Sequence, residues 1–469
     1  MLAPTLFLFV SCATTPSPTS APPAETWSLG SHEAAGKEPI ERSPSRAQES
    51  VIIHNATVLT AAGQRIESGH VVLSEGRIQA VAEGAPPSID GATLLDAEGG
   101  FVTPGLIDTH SHLGVYPSPS SRAHSDGNEA TSPTTPGVWA EHSFWPQDPG
   151  IQRAVAGGVT SMQVLPGSAN LVGGRGVILQ LLPTRGSRAM RFPGAPETVK
   201  MACGENPKRV YGSRNSTPST RMGNLRGQRS AFASAQRLLE DWERYEHDAA
   251  RHRGDKPGPQ APKRSLDEET LIGVLRGEIL PQVHCYRADD MLSFLQLADE
   301  FGFSIRSFHH ALEAYKIRDI LAEKEVSVST WADWWGFKLE AYDGIPHNAA
   351  LVAESGARAI IHSDSSVGIQ RLNQEAAKAY YSGVHAGLNV DENEALRWIT
   401  ANPAWALGID SEVGTLETGK RGDVVVWNGH PFSHYSSAHV VFIDGVRVHD
   451  SATNPSPWSD FLTGQEVAQ

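Results

Sequence analysis

The chain has only three cysteines in 469 residues, Cys12, Cys203 and Cys285, and no Cys-x-x-Cys pair. That is too few for a disulfide framework, and without the pair the usual mark of structural zinc is missing. Basic residues are outnumbered: 39 Lys and Arg stand against 53 Asp and Glu, a net charge of −14. Such acidity argues against bulk binding of nucleic acid, whose phosphates call for the opposite sign. Beyond the first few residues, no segment is long and apolar enough to cross a bilayer as a helix. No lysine or arginine precedes the apolar run at residues 2–10, so the charged flank of an ordinary secretory signal is also missing. What remains, 39% hydrophobic and 20% charged residues, is the composition of a globular protein. Its length accommodates a barrel of about 250 residues or more with a smaller domain beside it.

The apolar run ends at the small Ser11 and is followed by Cys12. Residues 1–12 resemble a bacterial lipoprotein signal, in which the cysteine is lipidated and becomes the mature N-terminus. The run is too short to span a bilayer itself. Residues 13–49 are rich in Pro, Ser and Thr and poor in aliphatics, and they read as a disordered tether. The expected location is the cell envelope, with the membrane touched only through a lipid on Cys12.

Strand patterns occupy residues 51–60 and 70–82, with a turn around Glu75-Gly76-Arg77. Near the other end, residues 423–427 and 439–443 read as strands, the second running into the hairpin signal Asp444-Gly445. Segments 50–102 and 410–450 are therefore expected to pair into one small β-domain. Between 103 and 409, strand candidates near 159–165, 198–203, 282–285, 304–308, 326–330 and 359–362 alternate with helical stretches, one of them a 3.6-period stripe over 291–300. That alternation predicts an α/β fold built as a (β/α)8 TIM barrel. The connection at 204–280 is conspicuously long, with a helical pattern over 230–252. If it follows strand four it is either a lid on the catalytic face or a lateral insertion.

The most informative stretch is residues 103–114, where an apolar run leads into His110 and His112. Residues i and i+2 of a strand share a face, so both imidazoles can converge beyond the strand end, as a divalent metal requires. A bare His-x-His is a weak signal, and its context matters more. Lys200, His284, His310 and Asp364 each sit at or near the end of a predicted strand, and barrel strand ends ring one face. Three of them have competitors: a core histidine role for His284, His309 for His310, and for Lys200 either Glu205 as the bridging group or a plain salt bridge. His362 is placed for a supporting role. By strand alternation Cys203 and Cys285 point away from the ligand candidates and read as packing residues.

Residues 103–114 resemble the first barrel strand of the amidohydrolase superfamily. The chain order His-x-His, Lys, His, His, Asp is that of its binuclear members, on strands one, four, five, six and eight. Blocks 157–170 and 204–208 resemble an imidazolonepropionase-related branch. The resemblance implies that both chain ends form a β-sandwich beside the barrel. It also implies that His110, His112 and Asp364 hold one metal, that His284 and His310 hold a second, and that a carboxylated Lys200 links them. Zinc suits such ligands best, with manganese, iron or cobalt as alternatives. Asp364 would take the proton of an activated water and pass it to the leaving nitrogen. Arg221, Tyr286 and Arg287 are candidates for holding a substrate carboxylate. The implied activity is hydrolysis of a non-peptide C–N bond in a small cyclic amide or amide-like molecule. A prolidase-like dipeptidase and a non-catalytic lipid-anchored binding protein are the alternatives, and a homo-oligomer is compatible with each.

Replacing Cys12 by Ser should shift the protein out of the membrane fraction of a cell extract. A wild-type chain found wholly in the soluble fraction would refute the anchor.

Overall fold

The computed structural model describes residues 50–253 and 257–453; Cys12 and the 13–49 segment lie outside them. The strands in chain order are β1 (Val51–Leu59), β2 (Arg65–Ser74), β3 (Arg77–Glu83), β4 (Thr93–Asp96), β5 (Phe101–Pro104), β6 (Leu106–Ser111), β7 (Val159–Val164) and β8 (Val172–Gln180). There follow β9 (Glu197–Ala202), β10 (Ile279–Cys285), β11 (Ser307–His310), β12 (Ser327–Thr330), β13 (Ala359–Ile361), β14 (Val424–Trp427), β15 (Ala438–Ile443) and β16 (Val446–Asp450). They form two sheets. One runs β6 to β13 in sequence order, and the other joins both ends of the chain as β16-β15-β14-β5-β1-β2-β3, with β4 also on β1.

The β6–β13 sheet is the barrel wall, and it departs from an all-parallel barrel at one place. β8 pairs antiparallel with both β7 and β9, whereas the remaining neighbours pair parallel. The cause is the short connection at residues 165–171: a parallel crossover needs about a dozen residues or more, so a short link can only make a hairpin. β6 and β13 share no ladder. Between them lie Trp398 and Ile399, whose carbonyls accept the Ile361 and Ile107 amides at 3.0 and 2.9 Å, and the barrel is nearly closed.

The strands from the two chain ends, which the family resemblance expects as a β-sandwich, form one continuous hydrogen-bonded sheet. β14 runs antiparallel to β5, and β5 parallel to β1, so the C-terminal strands join through the strand that leads into the barrel. Alternation divides β14 between two cores. Val424 and Val426 pack with Val58, Leu73 and Val102 in the sheet's own cluster, while Val425 and Trp427 join the barrel core. Trp427 Nε1 donates to Thr103 Oγ1 at 2.9 Å, so its one polar atom is satisfied inside the contact.

The 204–280 segment is three helices, Glu205–Gly212, Arg221–Arg251 and Leu266–Leu275. The long helix starts earlier than the sequence pattern suggests because Thr220 caps it, accepting from the Gly223 amide. Its buried Phe232 stacks on Phe303 at 4.5 Å, and Trp242 is buried too. This helix packs along the flank of the barrel, its first turns reach the end of β9 through Asn224 and Gln228, and the short first helix lines the pocket described below with Asn206, Arg209 and Val210.

Asp423, just before β14, is buried and accepts the Asp444 amide at 2.8 Å, while its other oxygen has no hydrogen-bond partner among the described residues. Burial raises its pKa from 3.8 to about 6. An acid with a raised folded pKa holds its proton more tightly in the folded chain. Stability is therefore greatest below the unfolded value and declines as pH rises from about 4 to about 6. Asp423→Asn removes this dependence. Measured by denaturant unfolding, the stability of the variant relative to wild type should rise by about 2–3 kcal/mol between pH 4 and 6.5, at about 1.4 kcal/mol per pKa unit. A difference independent of pH would show that Asp423 ionises normally.

Candidate metal centre

Three strand ends supply the four imidazoles. β6 carries His110, with His112 one residue past its end; β10 carries His284; β11 ends at His310. Asp364 follows β13, and Lys200 lies inside β9. The six come together on one face of the barrel. His284 and His310 have ring centroids 4.5 Å apart, and His110 and His310 are 4.8 Å apart. His110, His310 and Asp364 present one potential ligand atom each within 4.8 Å of one another. The pocket over them, about 310 Å³, is lined by His110, His112, His284, His310 and Asp364, with Tyr286 and Asn206 beside them.

The hydrogen bonds show which atoms are free. His112 Nδ1 donates to the Leu165 carbonyl at 2.8 Å, which leaves the lone pair of a neutral ring on Nε2. That Nε2 lies 3.1 Å from Asp364 Oδ1: a ring protonated there hydrogen bonds to the carboxylate, and a neutral ring sets two acceptors face to face. His310 Nδ1 is buried without a hydrogen-bond partner among the described residues, 3.9 Å from Asp364 Oδ2. Opposed lone pairs and an orphaned buried nitrogen are costly unless a cation sits between them. The donor set, imidazole and carboxylate, fits zinc or a similar divalent ion.

Electrostatics point the same way. Burial, together with the positive charge of Lys200, holds His110 and His284 well below the ordinary imidazole value, so both are neutral ligands in waiting. Burial drops Lys200 to about 7. Its Nζ lies 3.0 Å from His110 Nε2, and among the described residues it has no carboxylate ion pair. Glu205, the competitor, pairs with Lys338 at 3.4 Å instead. Burial pushes Asp364 upward, but its hydrogen bond to His112 and the charges of His112, His362 and Lys200 outweigh that and leave it lowered, an anion at neutral pH. His310 and Asp364 have φ of 71° and 49°, left-handed values for side chains with a Cβ, so backbone strain is concentrated at the site.

The proposed carboxylate grip is redistributed. Arg221 is held by Asp290 at 2.9 Å and by Glu340, and Arg287 by Asp289 at 2.8 Å. Both serve their own chain's acids, and only Tyr286 of the three lines the pocket. His309 turns away from the pocket to hydrogen bond with Gln282 and His110, and His362 Nε2 accepts the His310 amide at 3.3 Å. Sequence reasoning missed Asp108, two residues before His110 and so on the same strand face. Its buried carboxylate accepts the His110 amide at 3.0 Å, the Ser363 amide at 3.1 Å and the Ser363 hydroxyl.

Cys203 and Cys285, expected as separate packing residues, are joined in a disulfide with Cα atoms 5.2 Å apart. The register of β9 on β10 explains it. Ala202 stands opposite His284, so the next residues, Cys203 and Cys285, are also partners and point the same way. A separation of 82 residues hid this in the sequence. The bond ties the strand of Lys200 to that of His284.

Residues 317–450 match the profile of the amidohydrolase family. The fold superposes on the crystal structure of an amidohydrolase from Thermotoga maritima MSB8 with a TM-score of 0.78 and 36% identity, covering 85% of this chain and 100% of that one. The chain is 34% identical over 409 residues to Amidohydrolase tasK of Hapsidospora irregularis, which covers 81% of this chain but only 40% of that protein's length. It is also 25% identical over 432 residues to a 5-methylthioadenosine/S-adenosylhomocysteine deaminase of Desulforudis audaxviator (strain MP104C), covering 84% of this chain and 90% of that one. The chain belongs to the amidohydrolase family.

Replacing both Cys203 and Cys285 by Ala should lower unfolding free energy by about 2–4 kcal/mol, since the bridge closes a long loop. Thiol titration should find neither sulfur reactive in the unreduced, denatured wild type. Two free thiols there would eliminate the bridge.

Proposed function

We propose that this protein is a metal-dependent hydrolase of a non-peptide C–N bond in a small cyclic amide or amide-like molecule. The observation that carries the reading is His112 Nε2 facing Asp364 Oδ1 at 3.1 Å with its other nitrogen already committed, beside the unpartnered His310 nitrogen. His110, His112 and Asp364 would hold one divalent ion, and His284 and His310 a second. Lys200 is the group to link them: burial brings it to about 7, which makes the free amine available to add CO2 as a carbamate. Bound there, the metal pair would polarise the substrate and lower the pKa of water.

The chain's own groups supply the rest. Asp364, ionised and partly open to the pocket, takes a proton from the attacking water and returns it to the departing nitrogen. Burial holds the Tyr286 hydroxyl well above its ordinary value, so it remains a hydrogen-bond donor to the substrate. Trp331, stacked on His310 at 4.5 Å, helps exclude water from that side. A pocket of about 310 Å³ suits a small molecule. The relative from Desulforudis audaxviator is a deaminase, and deamination also breaks a C–N bond, while the imidazolonepropionase-like blocks favour a cyclic substrate. The dipeptidase alternative loses Arg221 and Arg287, which pair with acids of the chain itself. A cell-envelope location through lipidated Cys12 belongs to the same reading, and the Cys203–Cys285 bridge suits an oxidising compartment.

Screening cyclic amides beside dipeptides on zinc-loaded protein should find turnover among the former. On such a substrate Asp364→Asn should lower kcat by about 10²–10⁴ while the circular-dichroism melt stays unchanged. Near-wild-type turnover would remove Asp364 from the proton path, and an unfolded variant would make it structural.

A further inference from the structure

The buried pair Gln282 and His309 has no part in the chemistry above, although it sits directly behind the pocket. Gln282 lies on β10 two residues before His284, and its strand partners are Lys200 on β9 and Ser307 on β11. Both Gln282 and His309 are fully buried. The Gln282 amide nitrogen donates to the Ala406 carbonyl at 3.4 Å, so Oε1 faces His309 Nε2 at 2.7 Å. On its other side, His309 Nδ1 lies 3.0 Å from His110 Nδ1.

We infer that Gln282 and His309 are positioning residues that fix His110 in the tautomer protonated on Nδ1, so that its Nε2 lone pair is presented to the metal centre. The logic is a count of donors and acceptors. An amide oxygen only accepts, so the proton between Gln282 and His309 belongs to His309 Nε2. The remaining nitrogen of a neutral His309, Nδ1, is then an acceptor. The proton between the two Nδ1 atoms must therefore come from His110. That leaves the lone pair of His110 on Nε2, 3.0 Å from Lys200 Nζ and 3.7 Å from Asp364 Oδ1. With the opposite tautomer, His110 would turn an N–H toward the ligands and a lone pair toward another lone pair. A partner that orients an imidazole in this way commonly changes metal affinity by about 10–100-fold. The same arrangement explains the adjacent pair His309-His310: one ring reaches the pocket and the other steadies a ligand from a different strand.

The inference rests on His110 being a metal ligand, and the test separates the two claims. Zinc affinity of the full chain is measured by competition with a chromophoric chelator, with zinc per chain and the thermal melt as companions. His112→Ala, a direct ligand change, should weaken binding strongly. His309→Leu should weaken it about 10–100-fold. His309→Asn, whose amide oxygen can take the place of Nδ1, should stay within about threefold of wild type with zinc stoichiometry unchanged. Gln282→Leu should fall between these two. If His309→Leu does not fold, the contrast between Gln282→Leu and His309→Asn carries the same test. Wild-type affinity in both His309→Leu and Gln282→Leu, with His112→Ala impaired, would overturn the positioning role alone. Loss of a whole zinc in His309→Asn would make His309 a ligand and overturn it as well. Unaltered affinity in His112→Ala would withdraw the metal centre and this inference with it.

Discussion

The site depends on one buried carboxylate. β6 and β13 close the barrel without a ladder between them, and Asp108 bridges the gap. Its Oδ1 accepts the His110 and Ser363 amides, its Oδ2 accepts the Ser363 hydroxyl, and the Asp364 amide in turn donates to the His110 carbonyl at 2.9 Å. A carboxylate without solvent is expensive unless its lone pairs are filled, and burial raises the pKa of Asp108 even here. The hydrogen bonds offset that cost and fix where the seam lies. Because the bridge joins the residues flanking His110 to those flanking Asp364, closing the barrel and bringing together these two candidate ligands are one event.

Around that seam the protein concentrates features that disfavour folding. Five histidines, His110, His284, His309, His310 and His362, are buried against one another and against Lys200. Burial holds all five down, His362 to about 3. Left-handed backbone at His310, Ala311 and Asp364 adds strain. Packing elsewhere has to carry this load. The apolar strands of the wall, the Cys203–Cys285 bridge and the stack of Trp331 on His310 lie beside the ligands and help to hold them in place. An arrangement unfavourable in the bare protein is what a metal-binding site requires, because the ion relieves the same repulsions that assembling the ligands creates.

How much of this could be read from the sequence followed from the range of each interaction. Local patterns sufficed where the determinant was local: the apolar run before His110, the turn at Asp444-Gly445, the end of the strand carrying His284 and the strand that precedes Asp364. β8 escaped because Gly173, Gly174 and Gly176 dilute its apolar pattern, and Gly174, at φ 111°, passes close to the Val138 carbonyl where a side chain would not fit. The disulfide depended on register between strands far apart in the chain, to which alternation within one strand is blind. Arg221 was misread for a related reason. Its acids, Asp290 and Glu340, lie on other elements, and an arginine whose partners are distant looks free in a linear sequence. Gln282 and His309 carry no motif at all, since their role depends on which ring nitrogen meets which oxygen.

The sheet built from the two chain ends also bears on the chemistry. β5 belongs to that sheet and β6 to the barrel, and only Gly105 separates them. That glycine packs on Thr160 so closely that a Cβ would collide with its side chain, and its amide donates to the Asp423 carbonyl at 2.8 Å. The strand that presents His110 and His112 is thus clamped at its start by the terminal sheet and at its end by Asp108. β14, the partner of β5, comes from beyond the last barrel helix. The first two candidate ligands are therefore held in register only after the far end of the chain has returned to pair with β5. Contacts of such long sequence separation are costly to form and late to be rewarded. The centre is accordingly finished by the whole chain and not by the barrel alone.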